Sequence, residues 1–144
     1  MKNFISFGAL LGACVLVLSG CGHTPVDPVF DVPSLVGKDI NGVSAILGTP
    51  SEDDSNKVWP NGDDEHLKTW SKQGVDLMVD YRSNTGKVVD FFVGTDDPSG
   101  ATSDTQKLLE QGNLKENESA YRIEMTEAGG HPGQYTGLKA VPNG

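Results

Sequence analysis

The chain is poor in basic residues. It has 11 lysines and arginines against 20 aspartates and glutamates, and a formal net charge of −9. A nucleic-acid-binding protein needs a basic surface to neutralise phosphates, so nucleic acid is not an expected partner. Cysteine is also scarce, since Cys14 and Cys21 are the only two and none follows residue 21. A disulfide framework is therefore excluded for the rest of the chain, whatever the redox compartment.

Long hydrophobic runs are scarce as well, and the one that is present lies near the start. The uncharged segment Phe4–Leu18 has 15 residues and follows the cation Lys2. A secretory signal peptide has a positively charged N-terminal region, an apolar run and small residues after that run. The run in this chain is also too short for a stable membrane span. We therefore predict that residues 1–20 are a signal peptide. Its removal takes Lys2 away and leaves a formal charge of −10.

This segment ends with Leu18, Ser19, Gly20 and Cys21. The tetrapeptide resembles the lipobox of bacterial lipoproteins. The resemblance implies that Cys21 becomes the mature N-terminus and carries thioether-linked and amide-linked acyl chains such as palmitate. Two or three such chains hold a small domain on a membrane far more firmly than one chain does. The alternatives are an ordinary secreted protein, in which Cys21 is incidental, and an uncleaved helical anchor.

The implied location is the extracytoplasmic face of a cell membrane or of an outer membrane. Gly22, and not an aspartate, follows Cys21, which suits export to an outer membrane in a cell that has one. Anionic lipids repel an acidic domain, so attachment would depend on the acyl chains and not on surface charge. The expected partners are the membrane, through Cys21, and a protein.

The mature chain divides into a spacer and one domain. Residues 21–34 contain three prolines and have no helical period, a composition that predicts a lipidated cysteine followed by a flexible linker. Residues 35–144 are long enough for a single extracytoplasmic domain with a modest core.

Two short helices are predicted in this domain. The first spans residues 39–47, with Asp39 as its N-cap, apolar residues at helical spacing and Gly48 as a stop signal. The second follows Ser103 or Asp104, either of which is a suitable N-cap. Helices this short depend on packing against another element for their stability.

Strands are predicted where apolar and polar residues alternate. The clearest is Val75–Arg82, and a turn joins it to a strand within residues 87–95. Together with residues 67–71 these strands form an antiparallel meander, and two further strands are expected at residues 121–125 and 134–141. The predicted fold class is α+β in two layers, with one or two short helices packed on an antiparallel sheet of four to five strands.

The order of helix, acidic loop, tryptophan and meander resembles the small envelope lipoproteins of the SmpA/OmlA type and the related β-lactamase-inhibitor-protein fold. The resemblance covers roughly residues 35–95 and offers no pattern for residues 101–144. It implies a two-layer α+β domain that holds protein partners, as in outer-membrane assembly, or that blocks enzyme active sites. The matching positions are Gly37, Val43, Leu47, Gly48, Pro50, Trp59, Trp70, Val79, Tyr81, Gly86, Lys87 and Val88.

Candidates for catalysis are few. The three histidines, His23, His66 and His131, lie in unrelated contexts, and none belongs to a hydrolase or metalloprotease motif. We interpret them as solvated surface residues. Acidic residues cluster without the spacing of a calcium loop, at residues 52–54, 63–65 and 96–97. We therefore predict no catalytic residues, no cofactor, no metal site and no enzymatic activity.

Trp59 and Trp70 remain as candidates for a partner-binding surface, since large aromatic rings often anchor protein interfaces. The alternative for each ring is a place in the core. The sequence thus predicts a lipid-anchored, non-enzymatic module for protein interaction or assembly at the membrane surface. The alternative function is a surface-tethered inhibitor of an extracellular enzyme or of a phage component.

Overall fold

The computed structural model describes residues 24–58 and 64–144. The predicted signal peptide, Cys21, His23 and Trp59 lie outside these residues. In the described part of the chain, no helix has the length and hydrophobicity that a membrane span requires. The described residues form two α-helices and six strands, in the order α1 (Ile40–Leu47), β1 (Glu52–Asp53), β2 (Glu65–Lys72), β3 (Val75–Arg82), β4 (Val88–Gly94), α2 (Thr105–Gln111), β5 (Tyr121–Glu127) and β6 (Tyr135–Pro142).

The six strands form one antiparallel sheet with the strand order β1-β2-β3-β4-β6-β5. Strands β2, β3 and β4 are consecutive partners, whereas β6, the last of the six in sequence, lies between β4 and β5. The prediction of an α+β fold with helices on an antiparallel sheet is confirmed. The sheet has six strands rather than four to five, because Glu52 and Asp53, in an acidic cluster where no strand is predicted, pair with Thr69 and Lys68 of β2.

Strand β3 shows how the sheet divides into two faces. Its odd-numbered residues, from Val75 to Tyr81, are at most 5% exposed and lie in the core. Its even-numbered residues, from Asp76 to Arg82, are half-buried. Since successive side chains of a strand point to opposite faces, the alternation in the sequence decides which face carries the core. The predicted bounds of this strand, Val75–Arg82, are those observed.

Both helices pack on the core face of the sheet. The first begins at the predicted cap Asp39, and the second begins at Asp104, one of its two candidate caps. The Asp39 carboxylate accepts a hydrogen bond from the backbone N–H of Gly42 at 2.7 Å. The Asp104 carboxylate accepts one from the N–H of Lys107 at 2.9 Å. Each cap satisfies a backbone donor that the first helical turn leaves free. The buried helix residues that share one core with the sheet are Ile40, Val43, Leu108 and Leu109.

Residues 26–34, here called the strap, belong to the folded domain, although the sequence predicts a flexible linker there. The backbone N–H groups of Val29 and Phe30 both donate to the carbonyl oxygen of Gln111, at 2.9 and 3.0 Å. Phe30 is 5% exposed, and Val32, in a short 3-10 turn, is fully buried. The prolines favour an extended segment, and the apolar side chains between them pack in or against the common core. The domain therefore begins before residue 35, and the linker is correspondingly shorter.

The replacement Phe30→Ala should lower the free energy of unfolding by about 3 kcal/mol, because it removes a buried aromatic side chain and leaves a cavity. Urea-induced unfolding of the mature chain measures this change. The control is Val58→Ala, at a side chain that is 92% exposed, where we expect a change below about 0.5 kcal/mol. Equal stability of the two variants would contradict the docking of the strap.

Candidate functional site

The face of the sheet opposite the core, here called the open face, is the candidate functional surface. Within the described ranges neither helix packs on it, since α1 and α2 both contribute to the core on the other face. Strand register places seven of its side chains around the centre of the sheet, namely Leu67, Met78, Asp80, Asp90, Phe92, Glu124 and Lys139. The surface is therefore mixed, with charged groups among apolar ones.

Two carboxylates lie directly across from each other at the centre of the open face. Asp80 of β3 and Asp90 of β4 are register partners, and a β-bulge follows them, where Tyr81 pairs with Val88. We call Asp80 and Asp90 the acid pair. Like charges at directly opposed positions destabilise a sheet, so this arrangement needs compensation. Bulges of this kind are common beside functional sites because they redirect side chains.

Lys139 of β6 provides part of that compensation. Its Nζ donates a hydrogen bond to Asp90 Oδ2 at 2.8 Å and lies 4.0 Å from Asp80 Oδ2. The hydrogen bond to Asp90 raises the pKa of Lys139 above its ordinary value, against the lowering effect of burial. The lysine is therefore a stable cation whose main partner is Asp90. One cation between two carboxylates leaves the centre of the open face acidic.

The acid pair is desolvated, and this changes the proton affinity of Asp80. Burial and, after it, the charge of Asp90 raise the pKa of Asp80 to about 6, and Lys139 lowers this pKa by less than Asp90 raises it. The more distant carboxylates of Glu65 and Asp54 act in the same direction. A carboxyl group that titrates near neutral pH on an uncovered surface is a feature that functional sites often share.

Asp90 is the more deeply buried member of the acid pair. The residue is 7% exposed, and its Oδ1 atom has no hydrogen-bond partner among the described residues. Buried carboxylate oxygens normally have a partner, because an unsatisfied buried acceptor costs about 1 to 3 kcal/mol or more. The open face thus contains an unused acceptor, and an N–H or ammonium donor reaches this buried atom only when neighbouring side chains move aside.

Apolar side chains flank the acid pair. Met78 and Phe92 are register partners on β3 and β4, and Phe92 pairs on its other side with Lys139. The Phe92 ring lies over Gly137, where an added Cβ would be only 2.5 Å from the ring. The glycine therefore lets the ring lie flat against the sheet, an example of close approach that requires a residue without a side chain.

The replacement Gly137→Ala should destabilise the domain by about 2 kcal/mol, because its Cβ would also lie 2.3 Å from the backbone oxygen of Val93. The matched control is Gly94→Ala, at the register partner of Gly137 on β4. A Cβ at Gly94 meets its nearest neighbour at 3.5 Å, an ordinary contact, so we expect a change within about 0.5 kcal/mol. Thermal unfolding of both variants measures the difference, and a Gly137→Ala protein as stable as its control would contradict this packing.

The replacement Asp80→Asn should stabilise the domain at pH 7.5 and have no such effect at pH 5. The raised pKa of Asp80, about 6 against an ordinary 3.8, means that the folded state binds this proton more tightly than the unfolded state. The contribution of this group to stability therefore grows as the pH falls through 6. At pH 7.5 the asparagine removes an ionised carboxylate that repels Asp90, and we expect a gain of up to about 1 kcal/mol.

Urea-induced unfolding at the two pH values measures this effect. The control is Asp76→Asn, on the same strand and the same face, where the carboxylate accepts a hydrogen bond from Ser71 Oγ at 2.6 Å and has no carboxylate as a register partner on β2. We expect its effect on stability to be alike at pH 7.5 and pH 5. A gain for Asp80→Asn that persists at pH 5 would refute the repulsion within the acid pair.

The structure describes one of the two tryptophans proposed for partner binding. Trp59 lies outside the described residues. Trp70 is 4% exposed, and its Nε1–H donates to the carbonyl oxygen of Gly48 at 3.0 Å. Its ring therefore belongs to the core, the alternative that the sequence leaves open. One edge borders a groove of about 570 Å³ between the strap and α1, next to Ile46, whose side chain is 52% exposed.

The histidine interpretation is wrong for one residue. His66 is buried, at 8% exposed, because it lies on the core face opposite Tyr81 and its Nδ1 is 3.2 Å from the carbonyl oxygen of Asp54. Its ring centroid lies 6.0 Å from that of Tyr81. His131 is exposed in the turn before β6, as expected.

The acidic clusters are used in local contacts. Asp53 pairs with Lys68 at 3.1 Å, and Asp96 pairs with Lys107 at 2.8 Å. Asp54 Oδ1 accepts a hydrogen bond from the backbone N–H of Leu67 at 2.6 Å. Among the residues that the structure describes, no three histidine, cysteine or acidic side chains are arranged to hold a metal ion. In the cluster at residues 63–65, Asp64 and Glu65 both pair with Arg82 at 2.7 Å, and Asp63 lies outside the described residues.

Sequence reasoning missed the acid pair and Lys139. Asp80 and Asp90 are charged residues on the polar face of the predicted hairpin. Counting every second residue outward from the turn along both strands would have placed them near each other. The bulge after Asp80 makes such a count uncertain. No local pattern predicts the contact of Lys139 with Asp90, because it depends on the pairing of β6 with β4, and the two residues are 49 positions apart in sequence.

Comparison with known proteins supplies no relative. No protein-family model, curated protein or solved structure matches the chain. A function for this protein is therefore argued from the open face and from the start of the sequence.

Proposed function

We propose that this protein is a lipid-anchored envelope lipoprotein, a non-enzymatic module that binds a protein partner through the open face, in the manner of the SmpA/OmlA type. The partner presents a basic side chain flanked by apolar ones. The observation that carries this proposal is the buried, unpartnered Oδ1 of Asp90 on a face that neither helix covers.

The anchor is supported by the sequence around Cys21. The tetrapeptide from Leu18 to Cys21 follows an apolar run that is typical of a signal peptide, and the chain beyond Cys21 contains no further cysteine. Cys21 would therefore be the one thiol available for acylation in the mature protein. Because that protein has a net charge of −10, acyl chains and not a basic patch would provide its attachment.

The chemistry of the open face favours a cationic partner group. Lys139 neutralises one of the two carboxylates, so a second cation approaching Asp90 Oδ1 would complete the charge balance of the acid pair. Charged groups that are desolvated at the centre of an interface contribute strongly to its specificity. The rings and chains of Phe92, Met78 and Leu67 would exclude water around that contact, as apolar neighbours do around an interface hot spot.

The breadth of the surface favours a protein over a small molecule. Small ligands bind in concave pockets that bury most of their surface. The acid pair lies instead in the middle of a six-stranded sheet, on a face that spans β2 to β5. Such a face is suited to a partner that covers about 800 Å² of it.

The proposal is tested by photo-crosslinking in living cells that express the protein, with labelled palmitate in the medium. Met78 on the open face is replaced by a photoreactive residue in one strain, and Gln106, exposed on α2, is replaced in the other. We expect palmitate in the protein but not in its Cys21→Ala form, and a discrete protein adduct at position 78 only. The further change Asp90→Asn should lower the adduct yield about tenfold, because a buried charge contact is lost.

The control for Asp90→Asn is Asp76→Asn, on the same face but outside the acid pair, which should leave the adduct yield unchanged. Palmitate that remains in Cys21→Ala would overturn the anchor, and equal adducts at positions 78 and 106 would overturn the open face as the binding surface. If the adduct contains a secreted enzyme that the purified domain inhibits, an inhibitory role replaces assembly. Circular dichroism of each variant establishes that it is folded.

A further inference from the structure

The strap determines where the chain leaves the domain toward its N-terminus. The backbone N–H of Val26 donates to Glu110 Oε2 of α2 at 2.9 Å, and Val29 and Phe30 bind the carbonyl oxygen of Gln111. The chain is thus attached to the C-terminal end of α2 from residue 26 onward. Pro25 and Val26 line a shallow cavity with Lys115, just beyond that end of the helix.

This attachment leaves only residues 22–25 as a tether between Cys21 and the attached part of the domain. Four residues lie between Cys21 and Val26. The two Cα atoms are thus five residue steps apart, a length that a fully extended chain spans in at most about 18 Å. A folded domain of this size has a radius of gyration of about 14 Å, so its far side lies roughly 35 Å from its near side. If Cys21 is held in a bilayer, Val26 therefore remains on the near side of the domain.

The strap and the open face are on opposite sides of the sheet. Phe30 and Val32 of the strap share the core with Leu108 of α2, which places the strap in the helical layer. The acid pair points away from that core, on the other face. The thickness of the sheet and of the helical layer thus separates the point of attachment from the candidate binding surface.

We infer that the strap orients the protein on the membrane, with the helical layer toward the bilayer and the open face toward the aqueous compartment. This inference rests on the proposed anchor at Cys21. The partner that binds the open face is then a protein that arrives from the aqueous side, with its basic segment exposed. The orientation also keeps the acid pair away from anionic headgroups, whose field decays over about 8 Å in physiological salt.

The test attaches the mature chain, residues 21–144, to phosphatidylcholine vesicles that contain a maleimide lipid. Cys21 is the only thiol of the mature chain, so attachment is confined to that residue. A fluorophore is coupled to p-azidophenylalanine in place of either Lys115, beside the strap, or Glu124, on the open face. Lipids with a quencher on their headgroups report the distance of each fluorophore from the bilayer surface.

We expect quenching at position 115 to be about threefold stronger than at position 124, because the tether is shorter than the thickness of the domain. The matched control carries twelve glycine and serine residues inserted between Gly22 and His23, which add a mean reach of about 20 Å. The two positions should then be quenched equally, because the domain can rotate freely.

Equal quenching at the two positions without the insertion, or stronger quenching at position 124, would overturn the orientation. Chemical attachment makes this result independent of acylation in cells. A protein that fails to incorporate palmitate would thus refute the anchor and leave the measured orientation intact. An oriented domain that yields no adduct at position 78 would refute the binding surface alone.

Discussion

The alternation of side chains in β3 and β4 is the constraint on which the rest of the molecule depends. A strand with Val75, Leu77 and Val79 in the core must place the residues between them on the opposite face. Pairing of β3 with β4 then places Asp80 and Asp90 directly opposite each other on that face. The repulsion between the two carboxylates on the open face is therefore a direct result of placing the core on the other face. Lys139 of β6 compensates this repulsion only in part.

The helical layer depends on the same core but is held by different means. Both helices are short, with eight and seven residues, and helices of this length are not stable alone. Their caps and their buried leucine, isoleucine and valine side chains tie them to the sheet. The strap adds a third component, because its backbone satisfies the carbonyl groups at the end of α2 and its Phe30 and Val32 fill the core beneath.

What could be predicted from the sequence was local. The caps Asp39 and Asp104 and the period of two in Val75–Arg82 depend on neighbouring residues, and all three are observed. What could not be predicted was the outcome of long-range pairing. Three features arise from contacts that no local pattern predicts. They are the two-residue strand β1, the docking of Phe30 on a helix end some 80 residues away and the ion pair of Lys139 with Asp90. His66 was misplaced for the same reason, because its burial comes from Asp54 and Tyr81. The lipid anchor and the resemblance to envelope lipoproteins remain proposals.

The position of β6 also has a consequence for how the protein matures. Among the described residues this strand follows all the others in sequence, yet it pairs with β4 on one side and β5 on the other. Until residues 135–142 arrive, β4 has one unpaired edge and β5 has no strand partner, so the sheet is incomplete. A chain that emerges N-terminus first therefore cannot close this sheet until residues 135–142 are free to fold, and its unfinished edges need protection from other chains during that interval.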